Sequence, residues 1–379
     1  MSNSSVLTRF LYWKDEVELS LIISLLKSED FTEVLFWLYE LYFTGYKEYC
    51  FKLAFKIYYD FYAHLNPKLD DFICNNYEKW KQSDDDFIIG YIFRNMFCKR
   101  YTFNVFHLRQ LLNNPDVLPS VVFRGRSQNW ISKYPKRFKN LLMSIHKNKF
   151  VNIAYYLKQV LDNDLKECYE NVVMYFKNEK KVEIKEDIFK EILDEFNTLM
   201  YSDKKHYILS IIMYLKESEE NVNLRKIFIT LTKEDREFVI KIENEKITPD
   251  WKTLCFKRCY PINSLLGCFN LERDKFENIE HEMWFHWEYY ASFSPLWNKR
   301  MFEFNYKRNK DTKTIEFAND DIMENFYQKY GFLEPDEQPK YIQDASTGNI
   351  IKKNWKYLYD ELNKPETVLN FTCDFRYKY

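Results

Sequence analysis

The chain has 379 residues, 46% of them hydrophobic and 30% charged, a balance that fits a folded globular protein and excludes an intrinsically disordered one. At roughly 100–200 residues per domain, this length favours two units. The formal net charge is only −1, so any strong charge must be local.

The N-terminal residues predict neither secretion nor a membrane anchor. A membrane-spanning helix needs about 20 consecutive apolar residues. The best apolar run, Leu19–Leu26, is short and contains two serines. Residues 1–10 lack the apolar run and the cleavage site of a signal peptide. We therefore expect an intracellular, cytoplasmic protein whose scattered cysteines are free thiols.

The first hundred residues read as consecutive helices with short connections. Asp30 with Glu33, and Ser83 with Asp86, are spaced as capping boxes, in which each side chain accepts a hydrogen bond from a free backbone N–H. The run 31–43 is apolar on nearly every face, so it must be covered on more than one side. The predicted helices are 31–43, 46–64 and 83–98.

The middle of the chain continues the helical pattern. Thr232 and Asp235 form another capping box before an amphipathic stretch. Predicted helices cover 141–160, 183–201, 204–216, 233–245 and 273–290, with a short helix from Thr248-Pro249. Such a succession predicts a mostly α protein, a layered helical array that is either solenoid-like or a bundle.

The sequence pattern changes from helical to strand-like after residue 300. Apolar and polar residues alternate over 302–306 and again over 314–317, with a polar turn between them, a hairpin pattern. Residues 369–379 alternate over a longer stretch, which predicts a strand, the alternative being a free tail. We thus expect a small antiparallel β element near the C-terminus and three regions, 1–161, 162–300 and 301–379.

Charge is segregated along the chain. Residues 87–161 contain one acidic residue, Asp116, and thirteen basic ones, a local net charge of +12 that leaves −13 for the rest. The thirteen are Arg94, Lys99, Arg100, Arg109, Arg124, Arg126, Lys133, Lys136, Arg137, Lys139, Lys147, Lys149 and Lys158. We refer to 87–161 as the basic segment.

The basic segment suggests a surface for phosphates. Aromatic residues interleave with the charges and could stack on bases. Arg124-Gly125-Arg126 suits a phosphate-binding loop, and basic residues after Pro135 oppose a helix dipole, so they do not serve helix stability. The residues predicted to bind nucleic acid without sequence specificity are Arg94, Arg100, Arg124, Arg126, Lys133, Lys136, Arg137, Lys139, Lys147 and Lys149.

Two other interpretations of the basic segment stay open. Its charges could pair with the acidic remainder of the same chain. They could also dock an acidic protein, as in a scaffold or virion-assembly protein. Because exposed ion pairs add little stability, an external partner is slightly favoured.

No catalytic motif is recognisable. Six glycines cannot build a phosphate-binding loop or a dinucleotide fingerprint. His281-Glu282-Met283-Trp284-Phe285-His286 is a near miss to the zinc-binding H-E-x-x-H pattern, and Cys255, Cys259 and Cys268 lie nearby. Asp84-Asp85-Asp86 resembles a metal-binding D-x-D but also suits a helix start. We predict no catalytic residue, metal or cofactor, with a metal-dependent hydrolase as the remote alternative.

Three aromatic-rich runs carry a resemblance. The runs LFWLYELY (35–42), KIYYDFY (56–62) and HWEYYASFSPLW (286–297) resemble uncharacterised proteins of nucleocytoplasmic large DNA viruses, the giant viruses. The resemblance implies a cytoplasmic setting, in a viral factory or virion. It carries over no functional residue, since no activity is known for that family.

Overall fold

A computed structural model of the protein describes residues 5–123, 129–182, 194, 196, 199–217, 221–244, 276–278, 281–282 and 285–330. These residues are mostly helical, with one small two-stranded antiparallel sheet, as the sequence predicts. No helix among them is long and apolar enough to cross a membrane. The division into three regions stays a prediction.

The described α-helices, numbered in chain order, are α1 Lys14–Lys27, α2 Phe31–Phe43, α3 Lys47–Ile57, α4 Leu69–Ser83, α5 Phe87–Phe97, α6 Asn104–Asn113, α7 Lys139–His146, α8 Phe150–Lys158, α9 Leu165–Asn178, α10 Lys204–Lys216, α11 Lys233–Asn244, α12 Trp287–Ala291, α13 Pro295–Phe302 and α14 Asp320–Tyr330. The π-helical turn Tyr58–Tyr62 continues α3, and short 3₁₀ turns cover Asn129–Lys133, Lys136–Phe138 and Asp162–Asp164. The strands are β1 Lys307–Asn309 and β2 Thr314–Glu316.

Helix α2 is the centre of the N-terminal layers. It contacts α1, α3, α5 and α11, and its side chains are buried around most of its circumference. Its apolar composition therefore matches its position, because a helix without a polar face must be enclosed by others. Helix α6 has the same role further along, where it contacts α8, α10 and the π-helical turn.

A buried ion pair joins the elements around α6. Arg109 of α6 donates from Nε and one terminal nitrogen to the two carboxylate oxygens of Asp60, at 2.6 and 2.5 Å. The Asp60 and Arg109 side chains are only 2% and 1% exposed. His206 Nε2 of α10 lies 3.0 Å from the same carboxylate, and the Tyr201 hydroxyl is hydrogen-bonded to His206 Nδ1 at 2.8 Å. Arg109 is thus part of the interior.

The capping box predicted at the start of α11 forms, and the one predicted at the start of α5 does not. At the start of α11, the Thr232 N–H donates to Asp235 Oδ2 and the Asp235 N–H donates to Thr232 Oγ1, at 2.9 and 3.1 Å. This is the predicted reciprocal capping box. Ser83 instead ends α4, so the box predicted with Asp86 does not form.

The three consecutive aspartates after Ser83 serve the local structure. Asp85 Oδ1 accepts from the Phe87 N–H at 2.9 Å, which caps the first turn of α5. Lys47 Nζ donates to Asp84 at 3.1 Å and to Asp86 at 2.8 Å. Their carboxylates therefore have partners within the chain, in keeping with the helix-start interpretation.

The single helix predicted over 141–160 is wrong, because the chain breaks it into α7 and α8. Asn148 adopts a left-handed conformation with φ 54° between the two helices. The Lys149 N–H then donates to Ser144 O at 2.9 Å, which satisfies a terminal carbonyl of α7. Asparagine tolerates this conformation better than most residues, so it ends helices in the way glycine does.

The hairpin exists but begins later than predicted. Residues up to Phe302 continue α13, whose first turn is capped by Ser294 Oγ accepting from Trp297 N. The strands pair in antiparallel register, with Lys307 opposite Glu316. The helix predicted over 183–201 lies almost entirely outside the described residues. The short helix at Thr248-Pro249 and the strand over 369–379 are also outside them. The helix predicted over 273–290 is described in part: residues 276–278 are not helical, and α12 covers its end.

The buried ion pair makes a stability prediction. Asp60→Asn leaves the Arg109 guanidinium buried without a counter-charge, and we expect it to lower the free energy of unfolding by about 3–5 kcal/mol. The matched control is Asp71→Asn, whose side chain is 62% exposed and should change stability by less than about 0.5 kcal/mol. Urea unfolding at neutral pH measures both.

The effect of Asp60→Asn should also depend on pH. Burial alone raises the pKa of Asp60, but Arg109 and His206 beside it outweigh burial and hold the pKa well below its ordinary value. The stabilising contribution is therefore present above the unfolded pKa of about 3.9 and is lost as pH falls through the lower folded pKa. A difference between wild type and variant that does not shrink in acid would contradict this.

Candidate polyanion interface

The N-terminal half of the basic segment is engaged with its own chain. Arg94 Nε lies 4.0 Å from the Asp235 carboxylate. Lys99 and Arg100 donate to main-chain carbonyls of the segment 221–231, at 3.4 and 2.7 Å. Together with the buried Arg109, these residues serve intramolecular contacts, so this part supports the internal-pairing alternative.

Acidic residues in helix α9 and at its two caps pair with two further basic residues. Lys133 Nζ lies 3.1 Å from the Glu179 carboxylate. Arg137 donates to Asp164 at 2.8 Å and also contacts Glu167. Lys133 and Arg137 remain 67% and 48% exposed, so these are surface ion pairs of small energetic value.

The structure describes some of the remaining residues of the predicted nucleic-acid-binding set and not others. Arg124 and Arg126 lie outside the described residues, so the loop between them stays a prediction. Lys136 is exposed and Lys139 half-buried, and neither forms an ion pair within the described part of the chain. Lys158 donates to the Asn114 carbonyl at 2.8 Å.

Four lysines gather at the turn between α7 and α8; we call Lys147, Lys149, Lys180 and Lys216 the lysine cluster. Lys147 and Lys149 flank the left-handed Asn148 and are exposed. Lys180 follows α9, and Lys216 in the last turn of α10 donates to Asn148 Oδ1 at 2.7 Å. None of the four pairs with a carboxylate among the residues that the structure describes.

The charge of Lys180 disfavours the charged forms of two neighbouring groups, Lys216 and His146. Partial burial and then the nearby charge of Lys180 lower the pKa of Lys216 to about 8. Burial, Lys180 and Lys147 together lower the pKa of His146, the last residue of α7. A bound anion would relieve this repulsion, because like charges near one another disfavour their charged forms.

Aromatic rings surround the lysine cluster. The Trp130 ring lies 5.2 Å from that of His146 and 5.1 Å from that of Tyr175, between centroids. Lys147 Nζ lies 5.1 Å from the centroid of Phe123, and Lys216 Nζ lies 4.3 Å from that of Phe150. Trp130, Phe123 and Phe150 are partly exposed, so the surface combines cations with rings, as single-strand-binding surfaces do.

Sequence reasoning missed two members of the lysine cluster. Lys180 and Lys216 lie outside the basic segment, in stretches whose local charge is balanced by acidic neighbours. The sequence feature that could have identified them is their position at or just after helix C-termini, where the helix dipole favours a cation and the side chain projects beyond the helix. Tertiary contacts bring them to the turn: Tyr175 of α9 contacts His146 of α7, and Lys216 of α10 contacts Asn148 and Phe150.

The alternative metal site gains no support from the described residues. Glu282 accepts from the Tyr290 hydroxyl and from Lys313 Nζ, both at 2.5 Å, and His286 Nδ1 lies 3.1 Å from the Lys313 carbonyl. No group of three potential ligands is found among the residues described. Cys255, Cys259 and Cys268 lie outside them.

The lysine cluster makes a titration prediction. Lys180→Gln removes one of the charges that disfavour protonation of Lys216, so we expect the Lys216 pKa to rise from about 8. Carbon-detected NMR of isotope-labelled lysine side chains measures it, with Lys241→Gln as a matched exposed control. An unchanged Lys216 pKa in Lys180→Gln would show that the two charges do not interact.

Comparison with known proteins finds no matching family model, no matching curated protein and no matching solved structure. The resemblance to proteins of giant viruses therefore stays an expectation. A proposal for the function of this chain is therefore based on the geometry of the lysine cluster and the rings around it.

Proposed function

We propose that the chain binds nucleic acid without sequence specificity, through the lysine cluster and the aromatic rings beside it. The observation that carries the proposal is that the four lysines lie together without a carboxylate partner among the described residues. Lys180 is close enough to Lys216 to contribute to the lowering of its pKa. Phosphates spaced along a backbone would neutralise several of these charges at once and release their own counterions.

The chemistry of the cluster favours backbone contacts over base recognition. Lysine is a flexible point charge, whereas base recognition usually relies on the paired donors of arginine, asparagine or glutamine. Lys147 and Lys149 stand on a turn between two short helices, and no long exposed helix carries the charges as it would for insertion into a groove. Trp130 and Phe123 offer ring faces that accept any base.

A second candidate, docking of an acidic protein, has its own observation. Lys133 and Arg137 already hold carboxylates of Glu179, Asp164 and Glu167 within the chain. The same surface therefore accommodates carboxylates where they are supplied. An acidic partner would extend this pattern to the four cluster lysines.

Salt dependence of binding distinguishes nucleic acid from a protein partner. We expect fluorescein-labelled 20-nucleotide single- and double-stranded DNA of several sequences to bind with similar affinities that fall steeply with salt. Each phosphate contact contributes about −0.9 for a duplex, or about −0.7 for a single strand, to the slope of log K against log salt. Lys147→Glu with Lys149→Glu should weaken binding at least tenfold and reduce the slope by the contribution of about two phosphate contacts.

The matched control reverses two exposed lysines outside the cluster, Lys241→Glu with Lys310→Glu, which makes the same change in net charge. If both double variants weaken binding equally, affinity follows net charge and the cluster is not the site. Absence of binding at low salt would leave an acidic protein as the remaining candidate.

A further inference from the structure

Residues 221–231 begin with a turn and then cross the surface beside α4 and α5 without forming helix or strand; we call them the strap. Its backbone is held by side chains of α5 and the residues that follow it. Asn95 donates to the Ile229 carbonyl at 2.8 Å and accepts from the Ile229 N–H at 2.9 Å. Lys99 donates to the Ile227 carbonyl, and Arg100 to that of Asn221.

The strap is also fixed at both ends. The Asn223 N–H donates to the Leu65 carbonyl at 2.6 Å. Leu231 is buried against Gly90 of α5, where an added Cβ would lie 2.9 Å from Leu231 Cδ1. The strap is therefore a defined part of the fold with a fixed orientation.

The hydrogen bonds to α5 leave one backbone edge of the strap free. In an extended chain, successive residues present their N–H and C=O to opposite sides. All the contacts with Asn95, Lys99 and Arg100 use odd-numbered residues of the strap. In the described structure, the N–H and C=O groups of Leu224, Lys226, Phe228 and Thr230 form no hydrogen bond. Such an edge is a template for another extended chain.

A groove of about 510 Å³ lies beside the strap, between it and α4. Phe228 of the strap stacks on Phe72 of α4, with ring centroids 4.2 Å apart, and both rings line the groove. Asn75 and Lys79 of α4 and Lys226 of the strap supply polar lining. On the strap itself, the side chain of Ile227 is 66% exposed.

The positive charge around the strap favours an acidic partner. Lys79, Arg100, Arg225 and Lys226 lie on or beside it and are exposed, and Lys99 is half-buried, whereas the one acidic residue among those that line the groove is Asp71, 3.9 Å from Lys226. We infer that the free edge of the strap receives an extended acidic peptide of a partner protein, added as a strand and held by backbone hydrogen bonds and by this ring of cations.

The same charges disfavour the other simple occupant, a second copy of this chain. Pairing of two straps would bring a second set of the same cations to the edge, where Asp71 is the one acidic residue that lines each groove. Like charges placed together across an interface oppose association. The proposed site shares no residue with the lysine cluster, so the two proposals can fail separately.

The probe is a fluorescein-labelled eight-residue peptide of alternating glutamate and valine, measured by fluorescence anisotropy with the full chain at low salt. We expect it to bind, and the corresponding lysine–valine peptide not to bind. Two further peptides carry N-methyl groups on all glutamate amides or on all valine amides. Strand addition uses one edge of the peptide, so one of these should lose binding at least tenfold and the other should retain it.

The matching protein variant is Arg225→Glu with Lys226→Glu, expected to weaken the glutamate–valine peptide at least tenfold, whereas Lys241→Glu with Lys310→Glu should not. Equal binding of the two N-methylated peptides would overturn strand addition. A loss of DNA binding as large as the loss of peptide binding in Arg225→Glu with Lys226→Glu would assign the strap to nucleic acid instead. A dimer in light scattering that this variant dissociates would assign it to a second copy.

Discussion

The packing around α6 depends on a buried ion pair, Asp60 with Arg109. Removing both charges from water is costly, and the pair is tolerated because the guanidinium meets the carboxylate through two hydrogen bonds, with His206 beside it. Asp60 lies in the π-helical turn, Arg109 in α6 and His206 in α10, so the three elements are bound together at their centre. The helices that present the lysine cluster pack against this centre, since α6 contacts α8 and α10.

The same ion pair shows why a stretch rich in charge does not make one surface. Arg109 contributes to the +12 of the basic segment but is interior. Lys99 and Arg100 hold the strap, and Lys133 and Arg137 meet carboxylates of the α9 region. The turn between α7 and α8 carries the exposed Lys147 and Lys149, which form no such contacts in the described chain. Intramolecular pairing and an outward-facing surface therefore coexist in different parts of one segment.

Local signals in the sequence predicted much of the fold and less of the candidate site. Helix α10 and the capping box of α11 follow from periodicity and from side chains three residues apart. The break at Asn148 was missed, although the four polar residues 146–149 interrupt the apolar pattern there. The Asp60–Arg109 pair and the approach of Lys180 to Lys216 join residues distant in sequence. No local pattern encodes those contacts, since tertiary packing alone creates them.

Amine-reactive footprinting tests the central claim, that the lysine cluster, in which Lys147 and Lys149 of the basic segment join Lys180 and Lys216, is the surface that meets nucleic acid. The protein is acetylated briefly with and without 20-nucleotide DNA, and each lysine is quantified by mass spectrometry. The account predicts that Lys147, Lys149 and Lys180 react readily alone and are protected several-fold by DNA, while Lys241 and Lys310 are unchanged. Equal reactivity of the cluster lysines with and without saturating DNA, or protection found only at Lys241 and Lys310, would contradict it.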